Sequence, residues 1–450
     1  MRRTCSETRS EKAERPVRGE GPEGKGPLFS DRRERVSERQ RVWPREASPR
    51  ASSGLLREAE RSRVTVKALD IGRASSPLHD RPHLRRLDQV DPYLLIATLL
   101  LIGYGLVMTY SVTAESRTFT GDPMQFVVRG AIWAAIGVAA MVIVAMFDYA
   151  WLGTFAPLIY LLMLGLLVVV LAIGRESLGA QRAVNFGGLS FQFSEVAKVL
   201  AIVVLAKYFA DRSDRIGSPL VIAGGLAMLG PAVALVYKQP DLGTSLVFIA
   251  IFFGIAFLAG ARVWQLVGLV AVAGASFPLI WSLLKPYQQE RLLAFLNPYS
   301  DPQGAGWNII QSLIAVGSGQ ATGKGLTAGT QSPLGYLPIA ESDFVFAGLA
   351  EDLGFVGAVI LFALYIVLIF AALRIAYRAR DPFGMLLGGG VAAMLLFQIL
   401  VNVGMAVSLM PVTGIPLPFI SHGGSSLVSI CFALGVLQSV SMRREAPAIG

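Results

Sequence analysis

Charged side chains are absent from long stretches of this chain, and the lengths of those stretches set the first expectation. A helix that crosses a bilayer needs about 20 mostly apolar residues. Uncharged runs of that size fall at Tyr93–Val112, Trp151–Gly174, Ile216–Tyr237, Leu242–Ala261 and Val263–Leu284. The shorter run Ala131–Phe147 adds a span, and Phe344–Leu373 adds another in spite of Glu351 and Asp352 inside it. From Pro382 to Met442 no Asp, Glu, Lys or Arg occurs for 61 residues, too many for one helix. Pro411, Gly414, Pro416, Pro418 and the pair Gly423-Gly424 break that run, which predicts two spans joined by a tight hairpin. Counting Ser194–Ala210, which carries Glu195 and Lys198 near one end, the pattern predicts an all-α polytopic membrane protein of about ten transmembrane helices.

The polar stretches between the spans differ in kind. The longest, Lys285–Asp343, has 59 residues and becomes a large outward-facing loop between helices 7 and 8. Within it Trp307–Val316 has helical apolar spacing, which predicts short helices against the membrane surface over a cavity. With the amino terminus in the cytoplasm, Arg81, Arg85 and Arg86, then Lys207, Arg212 and Arg215, Arg262, Arg374, Arg378 and Arg380, and Arg443 and Arg444 fall inside, in line with the positive-inside rule. The basic residues left outside, Arg117, Arg175, Arg182, Lys238, Lys285, Arg291 and Lys324, call for another explanation, and an anionic ligand is one.

Composition sharpens this picture at the amino terminus. Of the 450 residues, 53% are hydrophobic and 16% charged, which argues against a soluble enzyme. The net charge of +9 is concentrated in residues 1–90, which hold 22 Lys and Arg against 14 Asp and Glu. Residues 1–84 are too polar to offset the entropy of ordering them and read as a disordered basic cytoplasmic tail. Residues 85–444 form the membrane domain, and 445–450 a short cytoplasmic carboxyl terminus. The tail lacks the apolar core of a secretory signal. Its interleaved acids and the lack of a recognition motif exclude nucleic acid as a partner and favour anionic headgroups. Cys5 and Cys431 fit neither a disulfide framework nor a zinc site.

Three polar clusters carry candidate chemistry. In GAQRAVNFGGLSFQFSEVAK, Arg182, Gln192, Ser194, Glu195 and Lys198 gather near the outer interface. Glu195 and Lys198 share a helix face at i, i+3, either as a snorkelling lysine with its counterion or as functional intramembrane charges. Asp241 in KQPDLGT precedes a span, so capping and catalysis are equally supported. Asp343 in ESDFVF opens the eighth span and is either a helix cap or a reactive carboxylate. Eight residues on, Glu351 would stand about 12 Å further along and some 80° around a continuous helix, lining the same cavity. The run Ser318–Gly325 is no phosphate loop, because Gly325 follows Lys324 and no strand precedes it.

Taken in order, GAQRAVNFGGLSFQFSEVAK, QPDLGTSLV, RLLAFLNPYSDPQGAGWNIIQSLIAVGSG, GYLPIAESDFVFAGLAEDLGFVG and MPVTGIPLPFISHGGSS resemble the SEDS family (shape, elongation, division and sporulation) over Leu84–Arg444. The resemblance implies the ten-helix SEDS fold and a peptidoglycan glycosyltransferase. Such an enzyme polymerises lipid II on the outer face of the bacterial cytoplasmic membrane, with a class B penicillin-binding protein and other elongasome or divisome proteins as partners. It places the family's essential aspartate on Asp343 as general base and its motif basic residues on Arg182 and Lys198. Glu195, Gln192, Asp241 and Glu351 join the substrate-binding set. Ala183, Phe193, Glu341 and His422 depart from the usual pattern, and GTQS at Gly329–Ser332 resembles the RodA branch more than the FtsW branch. Metal use stays open, since a Mg²⁺ bridging phosphate oxygens and carboxylates would suit the leaving group while the sequence shows no carboxylate cage. A lipid II transporter and a membrane scaffold for the penicillin-binding protein are the alternative readings.

Overall fold

A computed structural model describes residues 89–114, 123–177, 180–186, 189–304, 306–331, 334–337 and 342–443, all within one compact unit spanning Asp80–Gly450. The basic tail, the carboxyl-terminal residues 445–450, Arg81, Arg85, Arg86, Arg117, Glu341 and Arg444 lie outside the described residues. The helices are α1 (Pro92–Ala114), α2 (Pro123–Met146), α3 (Ala150–Thr154), α4 (Ala156–Ile173), α5 (Phe193–Ala210), α6 (Pro219–Lys238), α7 (Leu242–Leu258), α8 (Val263–Ala275), α9 (Phe277–Leu283), α10 (Pro286–Leu296), α11 (Trp307–Ser318), α12 (Val345–Tyr377), α13 (Pro382–Ala406) and α14 (Gly424–Ser441). Six of them, α1, α2, α6, α12, α13 and α14, are long and apolar enough to cross a membrane alone. The pair α8 and α9, bent by 53°, makes a seventh. The break falls at Ser276 before Pro278, whose ring cannot continue the helix above it. With α4, α5 and α7, which are shorter or carry charge, the ten expected segments are all present as helices.

Helix starts are fixed by local chemistry that the sequence displays. Asp91 accepts from the backbone of Tyr93 and Leu94, and Asp381 accepts from Gly384 at 2.8 Å, each satisfying amides that the first turn leaves open. Proline stands in the first turn of α6, α10 and α13, where its missing N–H costs nothing. Asp91 also pairs with Arg374 of α12, tying the ends of two spans together.

Helix α13 forms the centre of the bundle, packing against α5, α7, α12 and α14. Its run Gly388-Gly389-Gly390 explains how so many helices meet there. A Cβ at these positions would stand 2.7 Å from Ala376, 2.0 Å from Leu258 and 2.7 Å from Ile202. The outer surface is apolar instead, with Leu158, Leu161, Ile366 and Phe370 exposed, as lipid-facing helices require.

The helical body carries one addition. Between α4 and α5 the chain forms a small antiparallel sheet of β1 (Arg175–Ser177), β2 (Ala180–Phe186) and β3 (Leu189–Phe191). Its registers include Gln181 opposite Glu176 and Val184 opposite Phe191. The motif residues AQRAVNF, Ala180–Phe186, thus form a strand.

Candidate functional site

The predicted tight hairpin between the last two spans is not what forms. Residues 407–423 run as a 17-residue non-helical segment whose Ile415, Leu417, Phe419, Ile420 and Ser421 are buried in the bundle. Irregular backbone at this depth is stable only where its polar groups find partners in the protein, and here they do. The Tyr365 hydroxyl donates to Pro418 O at 2.6 Å, Asn402 Nδ2 to Ile415 O at 2.8 Å, and the Leu417 amide to Ser421 Oγ at 2.8 Å. Two glycines let the segment approach, because a Cβ on Gly105 would lie 2.1 Å from Phe419 O and one on Gly243 2.6 Å from Thr413 O. Gly105→Val should therefore displace the segment and cost about 1–3 kcal/mol, read as a lower thermal midpoint in detergent. The same change at Gly103, whose Cβ would meet nothing within 4 Å, should leave the midpoint in place.

The broken segment holds the stretch that carries Asp343. Ser421 Oγ donates to Ser342 O at 2.5 Å, and Asn402 Nδ2 donates to Asp343 O at 3.1 Å. Ser342 Oγ in turn donates to Asp343 Oδ1 at 3.0 Å. Asp343 does not cap α12, whose N-cap is Phe344, so its carboxylate sits ahead of the helix on backbone pinned from both sides. Asn402 and Ser421 were not singled out in the sequence. Asn402 was detectable as an amide in a charge-free apolar run, where polar side chains are costly without a role.

The other cluster brings several predicted residues together. Gln192, the N-cap of α5, donates to Asp241 at 3.4 Å, and one turn into α5 Lys198 pairs with Glu195 at 2.8 Å. Snorkelling does not describe this lysine: Lys198 is 1% exposed and Glu195 2%, so the pair lies inside the bundle and both chain partners are desolvated. Such a pair persists only if each charge keeps the other. Among the described residues Ser194 Oγ and Glu195 Oε2 are buried with no hydrogen-bond partner, and the same holds for Thr413 Oγ1 in the broken segment and Asn402 Oδ1 of α13 beside it. Buried polar atoms of this sort mark places where ligand or water completes the bonding. Arg182 belongs to β2, next to this cluster in the chain.

Asp241 does cap its helix, accepting from the Thr244 amide at 3.1 Å and the Thr244 hydroxyl at 2.9 Å. It adjoins a small cleft of about 80 Å³ between Pro240, Leu242, Tyr287, Arg291 and the segment Pro411–Thr413. Arg291 sits over the Tyr287 ring at 5.7 Å, placing an exposed cation at this cleft.

Glu351 is placed differently from the expectation. Because the N-cap of α12 is Phe344 and its first helical residue Val345, Asp343 stands ahead of the helix that carries Glu351, and the two are not on one continuous helix; the turn at Gly354 (φ 63°, ψ −160°) comes after Glu351. Glu351 is fully buried and accepts from Lys324 at 2.6 Å, from the Thr330 amide and hydroxyl at 2.8 and 2.9 Å, and from the Gln331 amide at 3.1 Å. Its neighbour Asp352 accepts from Ser111 at 2.5 Å, and Ser111 accepts from Thr327. These bonds strap Gly319–Gln331 to the start of α12, which gives Lys324 a carboxylate partner within the protein. Among the described residues no group of three His, Cys, Asp or Glu is arranged to hold a metal.

Comparison with known proteins agrees with this architecture. The model of the family described as "Cell cycle protein", FtsW/RodA/SpoVE, matches residues 92–446. Peptidoglycan glycosyltransferase MrdB of Escherichia coli (strain K12) is 38% identical over 81% of this chain and 95% of its own length. Stage V sporulation protein E of Bacillus subtilis (strain 168) is 38% identical over 78% of this chain and 96% of its own. Among solved structures, a chain of a peptidoglycan synthase complex that coordinates polymerization and crosslinking is 33% identical, with a TM-score of 0.65 over 79% of this chain and 98% of that one. The rod shape determining protein RodA of Thermus thermophilus is 29% identical, with a TM-score of 0.59 over 79% of this chain and 98% of that one. With its ordered motifs, its ten apolar helices and its buried broken segment, the chain belongs to the FtsW/RodA/SpoVE family, the SEDS family.

Proposed function

We propose that this multi-pass membrane protein polymerises lipid II into glycan strands, with Asp343 as the general base. It is a peptidoglycan glycosyltransferase of cell-wall synthesis. The observation that carries the site assignment is the pinning of the Ser342–Asp343 backbone by Ser421 and Asn402, which presents one carboxylate at a fixed place ahead of α12.

In the reaction the 4-hydroxyl of the acceptor sugar attacks the anomeric carbon of the donor. A new C–O bond forms, the bond to polyprenyl pyrophosphate breaks, and the hydroxyl proton passes to Asp343. A positioned base of this kind contributes about 10²–10⁴-fold. The departing pyrophosphate needs fixed positive charge in a poorly hydrated site, where it acts more strongly than in water. Arg182 would grip it through two parallel N–H bonds and Lys198 would supply a point charge, exchanging part of its contact with Glu195 for phosphate oxygen. Gln192 and Asp241 would align the donor, and Glu351 would support the strap that closes over it. No step here depends on a magnesium ion, for which the described residues offer no group of three His, Cys, Asp or Glu.

The amino and carboxyl termini are assigned to the cytoplasm of the bacterial membrane, and the Asp343 side to the outer face. The partner is assigned as a class B penicillin-binding protein. The decisive experiment gives purified protein labelled lipid II, alone and with that partner, and resolves glycan strands on gels. Polymer from the wild type supports the reading, whereas lipid II movement across proteoliposomes without polymer would replace it with transport.

Asn402 touches no substrate in this scheme and acts as a positioning residue. Asn402→Ala should lower kcat by about 10²-fold, as a misplacement near 1 Å does, with KM for lipid II little changed. An equal loss in both parameters, or in thermal midpoint alone, would leave Asn402 a merely structural role.

A further inference from the structure

At the end of the bundle opposite Asp343 lies a groove that the glycosyl transfer does not use. Helix α5 starts beside Gln192 and runs about 27 Å at 1.5 Å per residue, which brings its last turn to the other membrane face. There α3, α4, α5 and α6 line an open groove of about 650 Å³. Its length is apolar: Leu161, 64% exposed, and Pro157 form one flank, and Val204 and Met228 the floor and far side. The Tyr160 hydroxyl donates to Met228 O at 2.9 Å and spans the groove from α4 to α6.

The end of the groove is charged. Lys207 and Arg212 line it together with Asp211. Arg212 is held by its own neighbourhood: its guanidinium stacks over the Tyr208 ring at 4.1 Å and its Nη1 donates to Tyr208 O at 3.2 Å. Those contacts occupy one face and one of five N–H donors, so the planar fork is set in place with donors to spare. Lys207 leans on Asp211 at 2.6 Å, but this pair is 37% and 48% exposed and is easily shared with a second anion. Asp214 and Arg215 follow one turn further on and offset each other, so the positive end rests on Arg212 and Lys207.

We propose that this groove is a binding site for one anionic phospholipid of the adjoining leaflet, its phosphate on Arg212 and Lys207 and an acyl chain along Leu161 and Val204. Two features select this occupant. A free anion would have no use for the apolar flank, and a zwitterionic lipid would bring an ammonium group towards Arg212 and Lys207. The arrangement follows the general pattern of basic residues at the ends of spans that recognise anionic headgroups, here with a fixed guanidinium and a groove for the chain. It does not depend on which residue is the base of glycosyl transfer.

The test uses the full chain, purified in detergent and exposed to equimolar phosphatidylglycerol and phosphatidylcholine, with retained lipid counted by native mass spectrometry. The wild type should retain phosphatidylglycerol over phosphatidylcholine by about fivefold. Arg212→Gln with Lys207→Gln should bring the two lipids to parity, and because both side chains are largely outside the packed core the variant should keep its thermal midpoint. Leu161→Trp, which narrows the groove without touching the charges, should lower phosphatidylglycerol retention and serves as the check if the double variant does not fold. Parity in the wild type, or a preference untouched by either variant, would overturn the site. Protection of the protein by inorganic phosphate equal to that by phosphatidylglycerol would also overturn it, since a bare ion would then be the occupant.

Discussion

Asp343→Asn is expected to leave the protein folded and to remove at least about 10²–10⁴-fold of its glycan synthesis. The substitution keeps the side-chain shape and can keep the bond from Ser342 to the side-chain oxygen. The backbone ties from Asn402 and Ser421 involve only carbonyl oxygens and survive unchanged. On the proposed assignment, what is lost is the basicity that accepts the acceptor hydroxyl's proton. Polymer formation from labelled lipid II should fall while thermal midpoint and binding to the transpeptidase partner stay at wild-type values. Substantial residual polymerisation would remove Asp343 from the role of base.

The largest effect on stability is expected from splitting the buried pair in α5. Lys198→Met leaves Glu195 charged, buried and without its cation, and Glu195→Gln strands the lysine; removing one partner of such a pair typically costs about 3–5 kcal/mol. The double variant Glu195→Gln, Lys198→Met has no charge to bury, so most of that loss should be recovered, because replacing both members of a buried pair is often neutral. Thermal midpoints across the cycle measure this. The same double variant separates structure from chemistry: a stable protein that has lost turnover would give the pair a part in the reaction, and a stable protein with normal turnover would reduce it to a packing device.

The spans were legible because lipid-facing helices must be apolar over a fixed length, and neither α5 with its buried pair nor α12 with Glu351 and Asp352 hid that signal. The residues near Asp343 were less so. Asn402 and Ser421 act on carbonyl groups 59 and 79 residues away in the chain, and no local spacing announces such a bond. The prolines and glycines from Pro411 to Gly424 told that helix could not continue, but the same residues suit a short turn or a long buried segment. The difference lies in partners from Tyr365 and Asn402, which appear only once the helices are assembled. Glu351 was placed wrongly for a related reason: its eight-residue spacing from Asp343 assumed one helix through both, whereas α12 begins only at Val345 and the donors to Glu351 come from Lys324, Thr330 and Gln331 of the preceding loop.

Order of synthesis gives the broken segment a further meaning. Phe419 seats against Gly105 in the first described span, and Ser421 completes the hold on Ser342 long after α1 and α12 have been made. A ribosome must therefore reach residue 421 before Asp343 acquires its final support, and the segment cannot enter lipid ahead of the helices that satisfy its backbone. A nascent chain stopped after α13 would own nearly every span and the Asn402 bond to Asp343 but not the Ser421 bond to Ser342, so its Asp343 would be held from one side only.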